Sequence, residues 1–144
     1  GRQVLLRKTR LEVAGLIGRI LLERIDGKQL PYAADRFTAV MSNSIVHHVP
    51  EAARPLAEAV RVTRPGGRIF FRDLLRPRTD AEVERLVELY AAGANDDQRQ
   101  MFDDSLRAAL TLDEVREITT GLGFDAACVT ATSDRHSTFS AVKP

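Results

Sequence analysis

A strand, a helix and a second strand in close succession between residues 37 and 75 constrain the fold more than any other feature. The segments "FTAVMSN" (37–43) and "RIFFRDLL" (68–75) are short and apolar, as buried strands are, and an amphipathic run "EAARPLAEAVRVT" (51–63) separates them. Strands joined by one short helical crossover become parallel neighbours with right-handed connection. We therefore predict a βαβ unit and an α/β fold.

The remaining segments predict helices around this unit and a hairpin at the end of the chain. The run 111–124 has a T-x-x-E capping box at Thr111 and Glu114, and Gly121 or Gly123 can end the helix in the left-handed conformation. Pro65 and the two glycines after it predict the reversal into the second strand. The other predicted elements are a helix over 4–18, a short buried strand over 19–25, helices over 79–92 (capped by Thr79 or Asp80) and 96–110, and an antiparallel pair of strands over 126–132 and 136–142.

Composition is that of one soluble globular domain. The chain has 144 residues, of which 44% are apolar, and its formal net charge is +1. We expect residues 1–144 to form a single, partial domain, with no nucleic acid and no membrane as partner, in the cytoplasm. The single cysteine, Cys128, lies in an alternating run and is expected to be a buried, inert thiol.

Two adjacent histidines, His47 and His48, follow the first strand and suggest three roles: metal ligand, catalytic base or wall of a pocket. Adjacent side chains point in different directions on a strand or a helix, so the pair is poorly arranged to chelate one ion, and no third ligand lies at a useful spacing. We predict no metal site. The base and the pocket wall both stay open, and His136 is expected to be structural.

Three motifs in a fixed order resemble a known family. They are "DGKQLP" before the first strand, "SNSIVHH" after it and "RVTRPGG" before the second. Together they resemble the second half of class I S-adenosylmethionine-dependent methyltransferases of the small bacterial, menaquinone-biosynthesis-like type, over residues from about 19 to 142. The resemblance implies a Rossmann-like, mostly parallel sheet that ends in an antiparallel hairpin. An unrelated doubly wound protein with coincidental turns is the alternative.

The resemblance also implies a cofactor site for S-adenosylmethionine or S-adenosylhomocysteine at the carboxyl ends of the strands. The carboxylate of Asp26 would accept the adenine amino group, and the amide of Gly27 would face the ring. Ser42, Asn43 and Ser44 would line the wall near the sulfonium, although short polar side chains there could simply end the strand. His48 would cap the pocket.

The acceptor side of the site is less defined by the sequence. Asp73, at the carboxyl end of the second strand, could face a substrate, but a surface ion pair with Arg76 is the simpler interpretation. The helical region 79–110 would form the lid over a small acceptor. No catalytic residue can be named, because a positioned pocket can do most of the work in methyl transfer.

Two features of the family are not found in this sequence: a glycine-rich G-x-G-x-G loop after a first strand, and an acidic residue for the ribose. We therefore interpret the chain as a C-terminal portion, truncated at the N-terminus, whose sheet has a gap between 19–25 and 37–43. Either those strands pair directly or a second copy fills the gap, so we expect a homodimer, with or without exchanged elements. The predicted function is methyl transfer, impaired by the missing loop, and the alternative is a dimerising or binding module or one piece of a split enzyme.

Overall fold

The computed structural model describes Gly15 and residues 18–144. The predicted helix over 4–18 lies outside the described residues except at Gly15 and Gly18. The elements in chain order are β1 (Phe37–Asn43), a 3₁₀ turn (Val46–His48), α1 (Ala53–Val62), β2 (Thr63–Leu74), α2 (Asp80–Tyr90), α3 (Asp96–Ala108), α4 (Leu112–Gly121), a second 3₁₀ turn (Ala126–Cys128), β3 (Val129–Ser133) and β4 (His136–Val142).

The described strands form one open sheet in the order β1-β2-β4-β3. The β1–β2 pair is parallel, as the βαβ pattern predicted, and the β2–β4 and β3–β4 pairs are antiparallel. The terminal hairpin is therefore confirmed, although residues 126–128 form a 3₁₀ turn instead of the start of a strand. The result is the α/β class that the sequence predicted, with a mixed sheet in the part of the chain that the structure describes.

Residues 19–25 do not form the predicted strand. They are irregular, and Ile20, Leu21 and Ile25 expose 42%, 81% and 40% of their surface. A strand needs a neighbour for its backbone hydrogen bonds, and none of the described strands pairs with this segment. The apolar run alone therefore did not correctly predict a strand, and β1 is an edge strand of the described sheet.

The two faces of the sheet are covered differently. On the first face, Ile69, Phe71 and Phe139 pack with side chains of α1 and α4 in the main core. On the second face, α2 and α3 form a smaller core around Leu74. This second core covers only the Leu74 end of the face, because Met41, Phe70 and Val142 on the same face expose 79%, 39% and 52% of their surface.

The turn between α1 and β2 is part of the strand and not a separate connection. Thr63 pairs with Phe37 and Arg68 with Ala39, so residues 64–67 bulge from the ladder. Gly66 has φ +74° and its amide donates to the carbonyl of Lys143 at 2.8 Å. A side chain on Gly67 would meet Thr63 Cγ2 at 2.6 Å and the carbonyl oxygen of Arg64 at 2.8 Å. Each glycine is thus required, one for its dihedral angles and one for its close contacts.

Candidate functional site

Polar side chains gather at the carboxyl ends of β1 and β2. In the parallel register Asn43 is opposite Arg72, so the next residue, Asp73, lies beside the turn that follows β1. Ser44, just after β1, adopts φ 54°, and its amide donates to the carbonyl of Arg72 at 2.9 Å. This left-handed residue turns the chain across the end of β2, so the histidines are carried towards Asp73.

The carboxylate of Asp73 organises that turn. Its Oδ2 accepts hydrogen bonds from the amides of Ile45 at 2.9 Å and Val46 at 2.6 Å. Its Oδ1 accepts from the amide of Leu74 at 2.8 Å and contacts Nδ1 of His47 at short range. The side chains of His47 and Asp73 are 4% and 14% exposed, so this pair is largely shielded from water.

The expected pairing of Asp73 with Arg76 is wrong. Arg76 contacts Glu114, the capping-box residue of α4, at 2.7 Å. The amide of Thr111 and then the Arg76 guanidinium lower the pKa of Glu114, while burial opposes them. Asp73 instead faces the turn after β1, where the amides of Ile45 and Val46 donate to its carboxylate. The sequence signal for this arrangement was an acidic residue at the carboxyl end of the strand parallel to the one that precedes the histidines.

The predicted cofactor residues lie on the same side of the sheet but on an open surface. Ser42 is half-buried within β1, Asn43 ends the strand and is exposed, and His48 is exposed at the end of the 3₁₀ turn, where its ring centroid lies 3.9 Å from that of His47.

Asp26 and Gly27 lie in an exposed turn. Asp26 Oδ1 accepts from both the amide and the ammonium group of Lys28 at 2.9 Å. The Lys28 amide, followed by its ammonium group, holds the pKa of Asp26 below its usual value, with a smaller contribution from Arg54 at the start of α1. The segment that follows is fixed to α1, since Glu58 accepts from the amide of Leu30 at 2.7 Å. Asp26 is therefore ionised and lies near the amino end of α1.

A narrow cavity borders the His47–Asp73 pair. Its accessible volume is about 20 Å³, which is room for one water-sized group. Ser137 is the third polar residue of the lining, and the rest is apolar: Val46, Leu56, Phe71, Leu74, Leu110, Val115 and Phe139. The site thus presents a histidine–carboxylate pair to a small apolar space beneath the junction between α3 and α4.

Neither a metal centre nor a membrane-spanning helix is found in the part of the chain that the structure describes. No group of three or more His, Cys, Asp or Glu side chains there could hold an ion. No described helix is long and apolar enough to cross a bilayer.

The fold and the position of the site place the protein in a structural class. It is a Rossmann-like α/β protein whose polar site residues lie beyond the carboxyl ends of parallel strands. A family model described as "Methyltransferase domain" matches residues 3–71. Over these residues the chain is similar to class I S-adenosylmethionine-dependent methyltransferases, as its motifs predicted, and S-adenosylmethionine is the methyl donor that this similarity implies.

Two curated relatives support the similarity to methyltransferases. The chain is 32% identical over 87 residues to the 27-O-demethylrifamycin SV methyltransferase of Amycolatopsis mediterranei, a match that covers 60% of this chain and 32% of that enzyme. It is 40% identical over 81 residues to the demethylmenaquinone methyltransferase of a Parafrankia species, covering 54% of this chain and 32% of the relative. The matches thus span about a third of the length of these relatives.

The similarity to solved structures supports the fold of this chain and does not extend to its function. The [4+2]-cyclase SpnF has a TM-score of 0.60 at 16% identity, with 100% of this chain and 64% of that chain covered. An O-methyltransferase family protein from Burkholderia thailandensis also has a TM-score of 0.60, at 16% identity, with 95% and 40% covered. Because one of these proteins is named as a cyclase, the fold does not decide the reaction, and the function has to be argued from the site.

The residues at the predicted cofactor positions carry the chemical groups that binding of S-adenosylmethionine requires. Asp26 has a carboxylate that is 56% exposed, and its second oxygen makes no hydrogen bond within the described residues. The hydroxyl and amide groups of Ser42, Asn43 and Ser44 can serve the polar parts of the cofactor. These groups form a polar wall that is half-buried at Ser42 and Ser44 and exposed at Asn43, and the cavity described above is lined by other residues.

Proposed function

We propose that the chain carries out S-adenosylmethionine-dependent methyl transfer to a small acceptor. The observation that supports this best is the convergence, at the carboxyl ends of β1 and β2, of the polar wall Ser42–Ser44 and the shielded His47–Asp73 pair. Ligands of open α/β sheets bind at this edge.

Each part of the site has a place in this proposal. Asp26, Gly27, Ser42, Asn43, Ser44 and His48 hold the cofactor, which supplies an electrophilic methyl group when bound. The region 79–110 acts as the lid over the acceptor, since α2 and α3 pack against each other over Leu74 and Leu110 lines the cavity. The chain thereby excludes water and orients the acceptor, which is the main requirement of an in-line transfer.

Calorimetric titration with S-adenosylhomocysteine tests this function. We expect binding in the micromolar range, and a loss of at least tenfold in Asp26→Ala, because a charge-assisted hydrogen bond contributes about 1.5–3 kcal/mol. Asp113→Ala is a matched control, since Asp113 is an exposed carboxylate on α4 and is not among the residues proposed to hold the cofactor. Absence of heat and of thermal stabilisation at millimolar ligand would refute the proposal.

A second candidate function is a non-catalytic module that associates with a second copy or with another chain. The observation that favours it is the outer edge of β1, which no strand in the described part of the chain covers and which lies next to the exposed Met41 and Phe70. Unpaired strand edges promote association. In this case we propose a homodimer that pairs along β1, and the β1 edge would serve equally for the other piece of a split enzyme.

A further inference from the structure

The segment 28–36, between the turn at Asp26 and β1, is irregular, so its backbone groups need partners other than a neighbouring strand. Two side chains of α1 supply them. The carboxylate of Glu58 accepts from the amide of Leu30 at 2.7 Å. The guanidinium of Arg61 donates to the carbonyl of Leu30 at 3.0 Å and to that of Tyr32 at 2.8 Å. Both polar groups of the Leu30 backbone are thus bound by one ion pair, and we call this arrangement of Glu58, Arg61 and Leu30 the Leu30 clamp.

The ion pair within the Leu30 clamp has a fixed geometry. Nε and Nη2 of Arg61 donate to the two oxygens of Glu58 at 2.7 and 2.8 Å, a bidentate contact. The Arg61 guanidinium, against the effect of burial, and then the amide of Leu30 hold the pKa of Glu58 below its usual value. The guanidinium serves four acceptor oxygens, two of Glu58 and two of the backbone. The compact ammonium group of a lysine could not span these four positions.

The Leu30 clamp lies directly after the turn that carries Asp26. That turn is closed by the amide of Gln29, which donates to the carbonyl of Asp26 at 3.1 Å, and by the amide of Lys28, which donates to the Asp26 carboxylate at 2.9 Å. Within the described part of the chain, the hydrogen bonds that join residues 26–30 to the rest of the fold are those of Leu30 with Glu58 and Arg61. The placement of the Asp26 carboxylate therefore depends on the clamp.

Resting on the proposed methyltransferase function, we propose that Glu58 and Arg61 are positioning residues for the cofactor, because they fix the turn at which Asp26 accepts the adenine amino group. A hydrogen bond to that amino group requires the carboxylate at a defined place. A turn that is held there when the chain folds spares the ligand the entropy cost of ordering it on binding. In this proposal neither side chain touches the cofactor, and both act through Leu30 on the affinity and on the selectivity for adenine.

Selectivity for adenine tests the role of the clamp. The chain is titrated with S-adenosylhomocysteine and with its inosine analogue, in which a carbonyl oxygen replaces the adenine amino group. The Asp26 carboxylate repels that oxygen, so the wild type should prefer the adenine ligand about tenfold, and Asp26→Ala should bind both ligands alike. Arg61→Lys should lose most of the preference, and adding Asp26→Ala to it should change the preference no further. This ratio of dissociation constants is independent of the fraction of folded chain, so a general loss of stability leaves it unchanged.

Arg116→Lys is the matched control. Arg116, on α4, also pairs with a carboxylate three residues before it, that of Asp113, and donates to a backbone carbonyl, that of Val129, each at 3.4 Å. It makes no contact with the Leu30 clamp, so the variant should keep the wild-type preference for adenine. An undiminished preference in Arg61→Lys, or an equal loss in the two lysine variants, would overturn the proposal.

The clamp itself is measured without any ligand, by amide hydrogen exchange followed by NMR. We expect the amide of Leu30 to be protected in the wild type, and Arg61→Lys to speed the exchange of Lys28, Gln29 and Leu30 about tenfold while the amide of Val115 in α4 is unaffected. Exchange of the wild-type Leu30 amide at the rate of an unfolded chain would show that the clamp does not form. A protected Leu30 in a wild type that does not bind S-adenosylhomocysteine would instead overturn the proposed function, and with it the role given to the clamp.

Discussion

At the scale of single residues, the side chains of His47 and His136 lie in different hydrogen-bonding environments. His47 donates to a carboxylate, whereas His136 is surrounded by donors: Nδ1 of His136 accepts from Arg72 Nη2 at 3.1 Å and from the Ser133 hydroxyl at 2.9 Å. The proton of His136 therefore resides on Nε2. Burial, followed by the charges of Arg72 and Arg135, lowers the pKa of His136 below its usual value. The expectation that His136 is structural agrees with this environment.

This environment predicts a pH dependence of stability. The folded state binds a proton at His136 less readily than the unfolded state, whose histidine pKa is about 6.5, so the free energy of unfolding falls as pH drops below about 6.5. Urea denaturation between pH 5 and 8 measures this. His136→Gln is the control, because it has no titration in this range and keeps His47 and His48. The wild type should exceed the variant in stability most clearly above pH 6.5, and a constant difference at every pH would contradict the prediction.

At the scale of elements, local capping motifs predicted the ends of the helices more reliably than other sequence signals predicted their elements. Thr111 and Glu114 form the reciprocal capping box that the T-x-x-E spacing predicted, and Thr79 caps α2 as expected. Gly123, with φ +90°, is the left-handed residue after α4, whereas Gly121 is the last residue of the helix. Asn95 and Gln98 form a second capping box that we did not predict. Caps are predictable because their partners lie three residues apart in the chain.

The Thr111 cap gives a prediction for element stability. Thr111→Ala should lower the free energy of unfolding by about 1 kcal/mol, since the amide of Glu114 loses its acceptor. Thr111→Ser, which keeps the hydroxyl, should change it by less than about 0.5 kcal/mol. Urea denaturation at pH 7 measures both, and equal losses in the two variants would show that the methyl group and not the cap is responsible.

At the scale of the whole molecule, the two edges of the sheet differ. The β3 edge is five residues long and its register shifts between Ala131 and Ser133, which disfavours further pairing. The β1 edge is seven residues long, carries no charge or proline, and adjoins the exposed Met41 and Phe70. Only the β1 edge has the properties of an interface, so the proposed homodimer is placed there.

A pair of methionine variants tests that placement. Light scattering at 50 µM should give about twice the chain mass of 16.0 kDa for the wild type. Met41→Lys should restore the single-chain mass, because the charge lies on the proposed interface. Met101→Lys adds the same charge on α3, where the side chain is 63% exposed, and should stay dimeric. A monomeric wild type, or equal masses for the two variants, would exclude this interface.

By itself the sequence determined the α/β class, the parallel β1–β2 unit, the caps of α2 and α4 and the terminal hairpin, because each depends on residues close together in the chain. It did not determine that 19–25 pairs with none of the described strands, since an apolar run cannot show whether a neighbouring strand exists. It also did not identify Asp73 as the partner of His47, which lies 26 residues away. Only the parallel register of the two strands brings that carboxylate to the turn after β1, where two backbone amides and one imidazole contact its oxygens.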